Sequence, residues 1–244
     1  MAKSKIEWTG STWNPTTGCT RISSGCINCY AEKMAYRLKA MGITKYENGF
    51  KFTIHDNSLK EPYTWKNSRI VFVNSMSDLF HESMPVHFLK AIFKVMNENP
   101  KHIFQILTKR PEQLLKLDCI LDWSDNIWMG VTIEDFTQLE RLEYLRKCNA
   151  SVKFLSLEPL LTRLPHLNLS DIDWVIVGGE SGPRSRTIKK EWVLSIRDNC
   201  EEFNTRFFFK QWGGKNKKKA GRLLDGKIYN DMPIHNIAKE TLLA

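Results

Sequence analysis

Cys19, Cys26 and Cys29 stand together in the segment Gly18-Cys-Thr-Arg-Ile-Ser-Ser-Gly-Cys-Ile-Asn-Cys-Tyr30. Three thiolates this close rarely serve packing alone, and soft sulfur ligands select iron–sulfur clusters or zinc. A fourth cysteine would close a structural zinc site or a fully ligated cluster. With three, one metal position stays free for substrate or cofactor, and an open position means chemistry. No histidine lies beside the segment to complete a zinc site, so zinc would have to recruit His55 or His81 from farther along the chain. The spacing alone leaves an iron–sulfur cluster, zinc and a structural or redox role open.

The other cysteines, Cys119, Cys148 and Cys200, sit among apolar residues in or near predicted helices, where a free thiol behaves as a small hydrophobe. We expect all three in the core. A disulfide framework does not fit a chain of 244 residues that is not cysteine-dense and opens on the polar Met1-Ala-Lys-Ser-Lys5. These features predict a reducing, cytoplasmic setting.

Positioning the cysteines falls to elements that are legible in the hydrophobic pattern. Short β-branched and aromatic runs alternate with helical patterns, the signature of a parallel sheet built from βα units. Predicted strands are Ile70–Val73, Ile103–Leu107, Ile127–Val131, Val152–Leu155, Trp174–Val177 and Arg206–Phe209, with a first strand near Glu7–Asn14. Apolar residues at helical spacing predict helices through Phe88, Leu89, Ile92, Val95 and Met96, through Leu139, Leu142 and Leu145, and through Trp192, Val193, Ile196 and Cys200. A further helix, Tyr30 to Ala40, opens directly from Cys29. The expected fold is α/β, a partial (βα)6-type TIM-like barrel of six or seven parallel strands. It would occupy residues 1–244 as one domain, with a basic C-terminal segment at 213–244.

Every predicted strand delivers polar groups at its carboxyl end: Asn74-Ser-Met-Ser-Asp78, Thr108-Lys-Arg110, Thr132-Ile-Glu-Asp135, Ser156-Leu-Glu-Pro159, Gly178-Gly-Glu-Ser-Gly182 and Lys210-Gln-Trp-Gly213. In βα barrels and open α/β sheets, active sites are assembled at that edge. Asp78 and Asp135 also suit helix caps, and the glycines at 178, 179 and 182 also suit turns.

A hydrophobic content of 42% supports a full core. No apolar run approaches the roughly 18 residues needed to span a bilayer, so no membrane role is expected. The net charge of +9 favours an anionic partner, although much of the excess falls in one run, Lys215 to Lys219.

Further segments carry a resemblance: Trp13-Asn-Pro15, Cys29-Tyr-Ala-Glu32, Leu107-Thr-Lys-Arg-Pro111, Leu157-Glu-Pro-Leu160, Trp174-Val-Ile-Val-Gly-Gly-Glu-Ser181, Phe207-Phe-Phe-Lys-Gln-Trp212 and Gly221-Arg-Leu-Leu-Asp-Gly226. With the cysteine segment and Asn74–Asp78, they resemble a phage-associated three-cysteine-motif family of radical-SAM-like proteins of unknown function, across nearly the whole chain. Cys26-Ile-Asn-Cys-Tyr30 is similar to the last part of the spore photoproduct lyase motif. The radical S-adenosylmethionine superfamily spaces its first two cysteines more closely, and here a loop of six residues separates them.

The resemblance implies that Cys19, Cys26 and Cys29 hold three irons of a [4Fe–4S] cluster and that S-adenosylmethionine chelates the fourth. Reductive cleavage of the sulfonium would then give a 5′-deoxyadenosyl radical, the cofactor carrying the difficult chemistry. It implies an electron donor as partner. By strand order, Ser75, Ser77 and Asp78 would meet the methionine moiety, Thr132, Glu134, Ser156 and Glu158 the ribose, and Gly178 and Gly179 the adenine. Lys109, Arg110, Glu180, Lys210 and Gln211 remain for the substrate.

The expected function is a radical S-adenosylmethionine enzyme that modifies or repairs an unknown substrate, with nucleic acid or a nucleotide first. One alternative is a non-catalytic nucleic-acid-binding protein whose cysteines hold zinc or a structural cluster. Another is a metal-dependent hydrolase or nuclease with Asp78, Glu134, Glu158 and Glu180 as cation ligands. Trp212 and Tyr229 flank the lysine run, a position suited to stacking on an unpaired base.

Overall fold

A computed structural model describes residues 4 and 6–233. The remainder of the polar start and the last part of the basic C-terminal segment lie outside the described residues. In chain order the elements are β1 (Ser11–Trp13), β2 (Thr16–Thr17), α1 (Tyr30–Ala40), β3 (Thr53–Ile54), β4 (Ile70–Val73), α2 (Val86–Asn97), β5 (Ile103–Thr108), α3 (Pro111–Asp118), β6 (Ile127–Thr132), α4 (Glu140–Arg146), β7 (Val152–Leu157), β8 (Trp174–Gly178), α5 (Lys190–Glu202), β9 (Arg206–Gln211) and α6 (Lys217–Ala220).

Seven strands form one sheet in the order β1-β4-β5-β6-β7-β8-β9, and every neighbouring pair is parallel. Each newly added strand of this sheet thus lies beside the one before it, the adjacency usual for consecutive elements. β2 and β3 make a separate antiparallel pair that brackets the cysteine segment and α1. This pair and α3 are additions to the elements read from the sequence.

Side chains alternate between the two faces of the sheet. Val71, Val73, Phe104, Ile106, Met129, Val131, Leu155, Leu157, Val175, Val177, Phe207 and Phe209 face the helices in the main core, with Leu89, Ile92 and Val193 from α2 and α5. The alternate set, Ile103, Trp128, Phe154, Trp174, Ile176 and Phe208, forms a second cluster on the other face around Trp8. Trp8 precedes β1 at one edge, yet its ring lies 6.2 Å from Trp174 and 6.4 Å from Phe154. One edge residue reaches β7 and β8 because the sheet is curled into a half-barrel around it. Burial on both faces explains why β6 and β8 read as unbroken apolar runs.

The alternation also places polarity. On β7 the inner-face series runs Phe154, Ser156, Glu158; on β8 it runs Trp174, Ile176, Gly178; on β9, Phe208 and Lys210. Each series changes from aromatic or aliphatic floor to polar or small mouth within a few residues.

Cys148 and Cys200 are buried as expected. Cys119 is exposed, which corrects the core assignment. It caps the C-terminus of α3, where the helix ends and its last side chain turns to water. Within the lysine run, Lys217–Ala220 form one helical turn, and Asn216 Oδ1 accepts from the Lys219 N–H at 3.2 Å. Among the described residues no helix is long and apolar enough to cross a membrane.

Candidate functional site

The cysteine segment crosses the carboxyl edge of the sheet and is fastened to it strand by strand. At the β4 end, Gly18 N–H donates to the Met76 carbonyl at 2.9 Å, Ser77 Oγ donates to the Gly18 carbonyl at 2.7 Å, and Cys19 N–H donates to the Phe50 carbonyl at 3.1 Å. Gly18 adopts φ +80° with the Lys51 carbonyl directly against it, so a side chain would meet both backbone strain and a steric block. Asn74, itself at φ +57°, turns the chain out of β4 while its amide donates to Thr16 Oγ1 at 2.8 Å. Ser75 Oγ donates to Asn14 Oδ1 at 3.2 Å.

Past β6, Ser23 Oγ donates to Glu134, and Ser24 Oγ donates to Asp135 Oδ2 at 2.5 Å. Gly25 lies so close that an added Cβ would stand 2.5 Å from Glu134 Cγ. Past β8, Asn28 Nδ2 donates to Glu180 Oε2 at 3.0 Å. The loop is therefore moored to three strand ends, which fixes where its sulfurs stand.

All three thiols are half-buried. Cys29 occupies the N-cap of α1. Ser23 Oγ lies 3.7 Å from Cys26 Sγ, and Arg110 Nη1 donates to Cys19 Sγ at 3.4 Å. Burial, and next Asp78, push the Cys19 thiol up to about 12, against the pull of Arg110. A metal bound at Cys19 would have to displace a proton. Among the described residues, no three His, Cys, Asp or Glu side chains converge closely enough to hold a single metal ion. As a donor set, three sulfurs on one moored loop fit a cluster whose irons take one thiolate each.

Four of the strand-end carboxylates each face a cation. Asp78 pairs with Arg110 at 3.1 Å, Glu158 with Lys210 at 3.0 Å, and Glu180 with Arg186 at 2.5 Å. Glu134, with no exposed surface, takes Lys109 at 3.1 Å and Arg141 at 2.8 Å. Burial works against the charged form of Glu134, but Lys109 and Arg141 outweigh it and hold the carboxyl below its ordinary range. Burial likewise opposes ionisation of Glu180, and the hydrogen bonds from Arg186 reverse the sign.

The residues expected at the site all lie along this edge, in two kinds of place. Some are taken up by the scaffold. Asp78 accepts from Thr108 Oγ1 at 2.7 Å and from the Lys109 N–H at 3.2 Å besides Arg110. Gln211 holds the Gly179 carbonyl and Ser181 Oγ, at 3.2 and 2.6 Å. Thr132 is buried and passes its carbonyl to Arg141 at 2.7 Å, and Gly179 packs directly on the Trp212 carbonyl. Arg110, expected against the substrate, is 3% exposed and faces Cys19 instead. Others line the inner mouth: Ser156 Oγ donates to Glu158 Oε2 at 3.2 Å, and Glu158 and Lys210 meet above Gly178 and Trp8.

Arg141, Arg186 and Trp8 join the site without having been expected there. Arg141 sits on the apolar stripe of α4 beside Leu142 and Leu145, and a lone charge on such a face was a usable signal. Trp8 meets Glu158 across 150 positions, at 3.2 Å, and no local pattern announces that. Trp212 and Tyr229, expected beside an unpaired base, are half-buried and in part packed. Their rings pack edge-on against Phe209 and Phe207, and Trp212 Nε1 donates to the Leu223 carbonyl at 2.8 Å.

A family profile described as protein of unknown function (DUF5131) matches residues 3–233, and the chain belongs to that family. No curated protein matches it. Among solved structures it is similar to a spore photoproduct lyase double mutant with bound AdoMet and dinucleoside spore photoproduct, at 12% identity and a TM-score of 0.45. The match covers 78% of this chain, which spans only 61% of the length of that one.

Proposed function

We propose that this member of the DUF5131 family is a radical S-adenosylmethionine enzyme in which Cys19, Cys26 and Cys29 hold a [4Fe–4S] cluster with one iron left for the cofactor. The observation that carries this reading is the mooring of a three-cysteine loop over the carboxyl edge of a parallel half-barrel, the edge at which such folds assemble active sites. The sequence resemblance described above supplies the class of chemistry. When bound, the group supplies one-electron reductive cleavage of S-adenosylmethionine.

This chain's own residues supply position. Asn28, Ser23 and Ser24 hold the loop in register with Glu180, Glu134 and Asp135. Ser75, Ser156, Glu158 and Lys210 offer hydroxyl, carboxylate and ammonium groups to the ribose and methionine ends of the cofactor. The aromatic floor of Trp8, Phe154 and Trp174 closes the inside of the half-barrel against water. A nucleic acid or nucleotide remains the proposed substrate class, supported by the net charge of +9.

The hydrolase reading is disfavoured by the pairing at the strand ends. Asp78, Glu134, Glu158 and Glu180 each already neutralise an arginine or lysine, and a divalent cation would have to displace those partners. Metal analysis of anaerobically isolated protein decides between the readings. About four irons with inorganic sulfide per chain, lost on Cys26→Ala, supports the proposal; stoichiometric zinc without a reconstitutable cluster overturns it.

A further inference from the structure

We propose that Arg110 is a tuning residue for the cluster: its hydrogen bond to Cys19 Sγ keeps the reduction potential less negative than three unassisted thiolates would give. This inference rests on the cluster reading above.

The guanidinium carries five N–H donors, and each has its own acceptor. Nε donates to Glu82 Oε1 at 2.8 Å, Nη1 to Asp78 Oδ2 at 3.1 Å and to Cys19 Sγ at 3.4 Å, and Nη2 to the Thr20 carbonyl at 3.1 Å and Thr20 Oγ1 at 2.7 Å. Neither carboxylate is gripped by a two-pronged fork, the geometry an arginine adopts when a carboxylate is its main purpose. The fork is instead opened around the Cys19–Thr20 corner, with one acidic partner on each side. Its base is equally fixed: the Arg110 N–H donates to Thr108 Oγ1 at 2.9 Å, and Thr108 Oγ1 in turn donates to Asp78. A side chain that is 3% exposed and saturated with partners cannot swing away from the sulfur.

A hydrogen bond to a ligand sulfur withdraws electron density from the metal group and favours its more negative, reduced form; such bonds are among the levers that set iron–sulfur potentials. Asp78 opposes Arg110 electrostatically, so the pair adds little net charge and the directed N–H is the effective element. The consequence is functional, because the potential decides which electron donor can start turnover.

The test is potentiometric titration of the anaerobically purified holoprotein, followed by EPR of the reduced cluster, with iron counted in parallel. Arg110→Lys keeps the charge and loses the fork. The double variant Asp78→Asn/Arg110→Gln keeps the pair neutral, leaves no buried charge stranded, and removes the guanidinium. Both should retain native iron content and show a more negative midpoint, with the larger shift in the double variant. An unchanged midpoint in a fully loaded double variant overturns the proposal. Loss of iron from both variants, with native protein loaded, would make Arg110 an assembly residue and also overturn it. Native protein that holds no cluster would instead defeat the reading on which the inference rests.

Discussion

The carboxylate of Glu158, just past β7, and the ammonium of Lys210, in β9, meet at 3.0 Å across the end of the strand between them. That strand ends in Gly178, and a Cβ there would stand 2.6 Å from Glu158 Oε1. Below the pair, Trp8 Nε1 donates to Glu158 Oε2 at 3.2 Å, and Lys210 Nζ lies 6.0 Å above the Trp8 ring. Glycine at 178 is therefore what lets the two charges bridge the mouth.

Gly178→Ala should push the Glu158 carboxylate off Lys210 at a stability cost of about 1–3 kcal/mol, the usual cost of forcing an extra methyl group into a packed site. S-adenosylmethionine binding, measured by equilibrium dialysis on the loaded protein, should weaken in Gly178→Ala and more in Glu158→Ala, with iron content unchanged. Native affinity in both variants would remove Glu158 from the cofactor site.

The cysteines should divide by position. Cys19→Ala, Cys26→Ala and Cys29→Ala should each abolish the visible cluster absorption, and Cys119→Ala should change nothing. Cys148→Ala and Cys200→Ala should keep the cluster while losing about 0.5–1.5 kcal/mol in urea melts, the cost of a buried methyl-sized group. Loss of the cluster in a Cys119 or Cys200 variant alone would reassign the ligands.

Trp8 closes the half-barrel from within, 3% exposed and 4.8 Å from Phe72. Trp8→Ala should cost about 3–5 kcal/mol, and Trp8→Phe much less because it preserves the floor. A urea midpoint for Trp8→Ala equal to native would mean that the inner cluster contributes little.

Two histidines predict acid sensitivity. Burial first, then Lys45, lowers His55 to about 4; burial first, then Lys101 and Arg69, lowers His102 to about 4. In the unfolded chain both take up a proton near their ordinary pKa of about 6.5. Their contribution is complete above about pH 6.5 and is lost as pH falls toward about 4, by up to about 1.4 kcal/mol per pH unit per histidine. Urea midpoints at neutral pH and about pH 5 should differ in native protein and differ less in a His55→Gln/His102→Gln variant, which keeps His81, a histidine that burial also lowers. A pH-independent native midpoint across that window contradicts the assignment.

If the substrate is nucleic acid, the exposed lysines at 215, 217, 218 and 219 should neutralise phosphates through their charge. Binding of labelled single-stranded DNA or RNA should fall steeply with salt and weaken when the four lysines are changed to Gln. No binding at low salt would move the substrate to a small molecule or another protein.

The half-barrel was legible because each buried strand writes its own apolar run, as in Ile127–Val131 and Trp174–Val177, and because parallel topology sends those runs to a common polar edge. That Cys19, Cys26 and Cys29 share one loop was legible from their spacing. The partners of the edge groups were not. Glu134 finds Arg141 and Lys109, Glu180 finds Arg186, and Glu158 finds Lys210 and Trp8 only after strands distant in sequence are laid side by side. Asp78 reads as a cofactor ligand until Thr108, Lys109 and Arg110 are seen to occupy it. Cys119 was misread because an apolar neighbourhood in sequence does not fix which way the last residue of a helix turns.

EPR of the dithionite-reduced, anaerobically isolated protein tests most directly whether Cys19, Cys26 and Cys29 hold a cluster with an iron open to S-adenosylmethionine. The account predicts a reduced [4Fe–4S] signal that changes on adding S-adenosylmethionine and is missing from Cys26→Ala. A reduced cluster whose signal is indifferent to S-adenosylmethionine, in protein of full iron content, would contradict it.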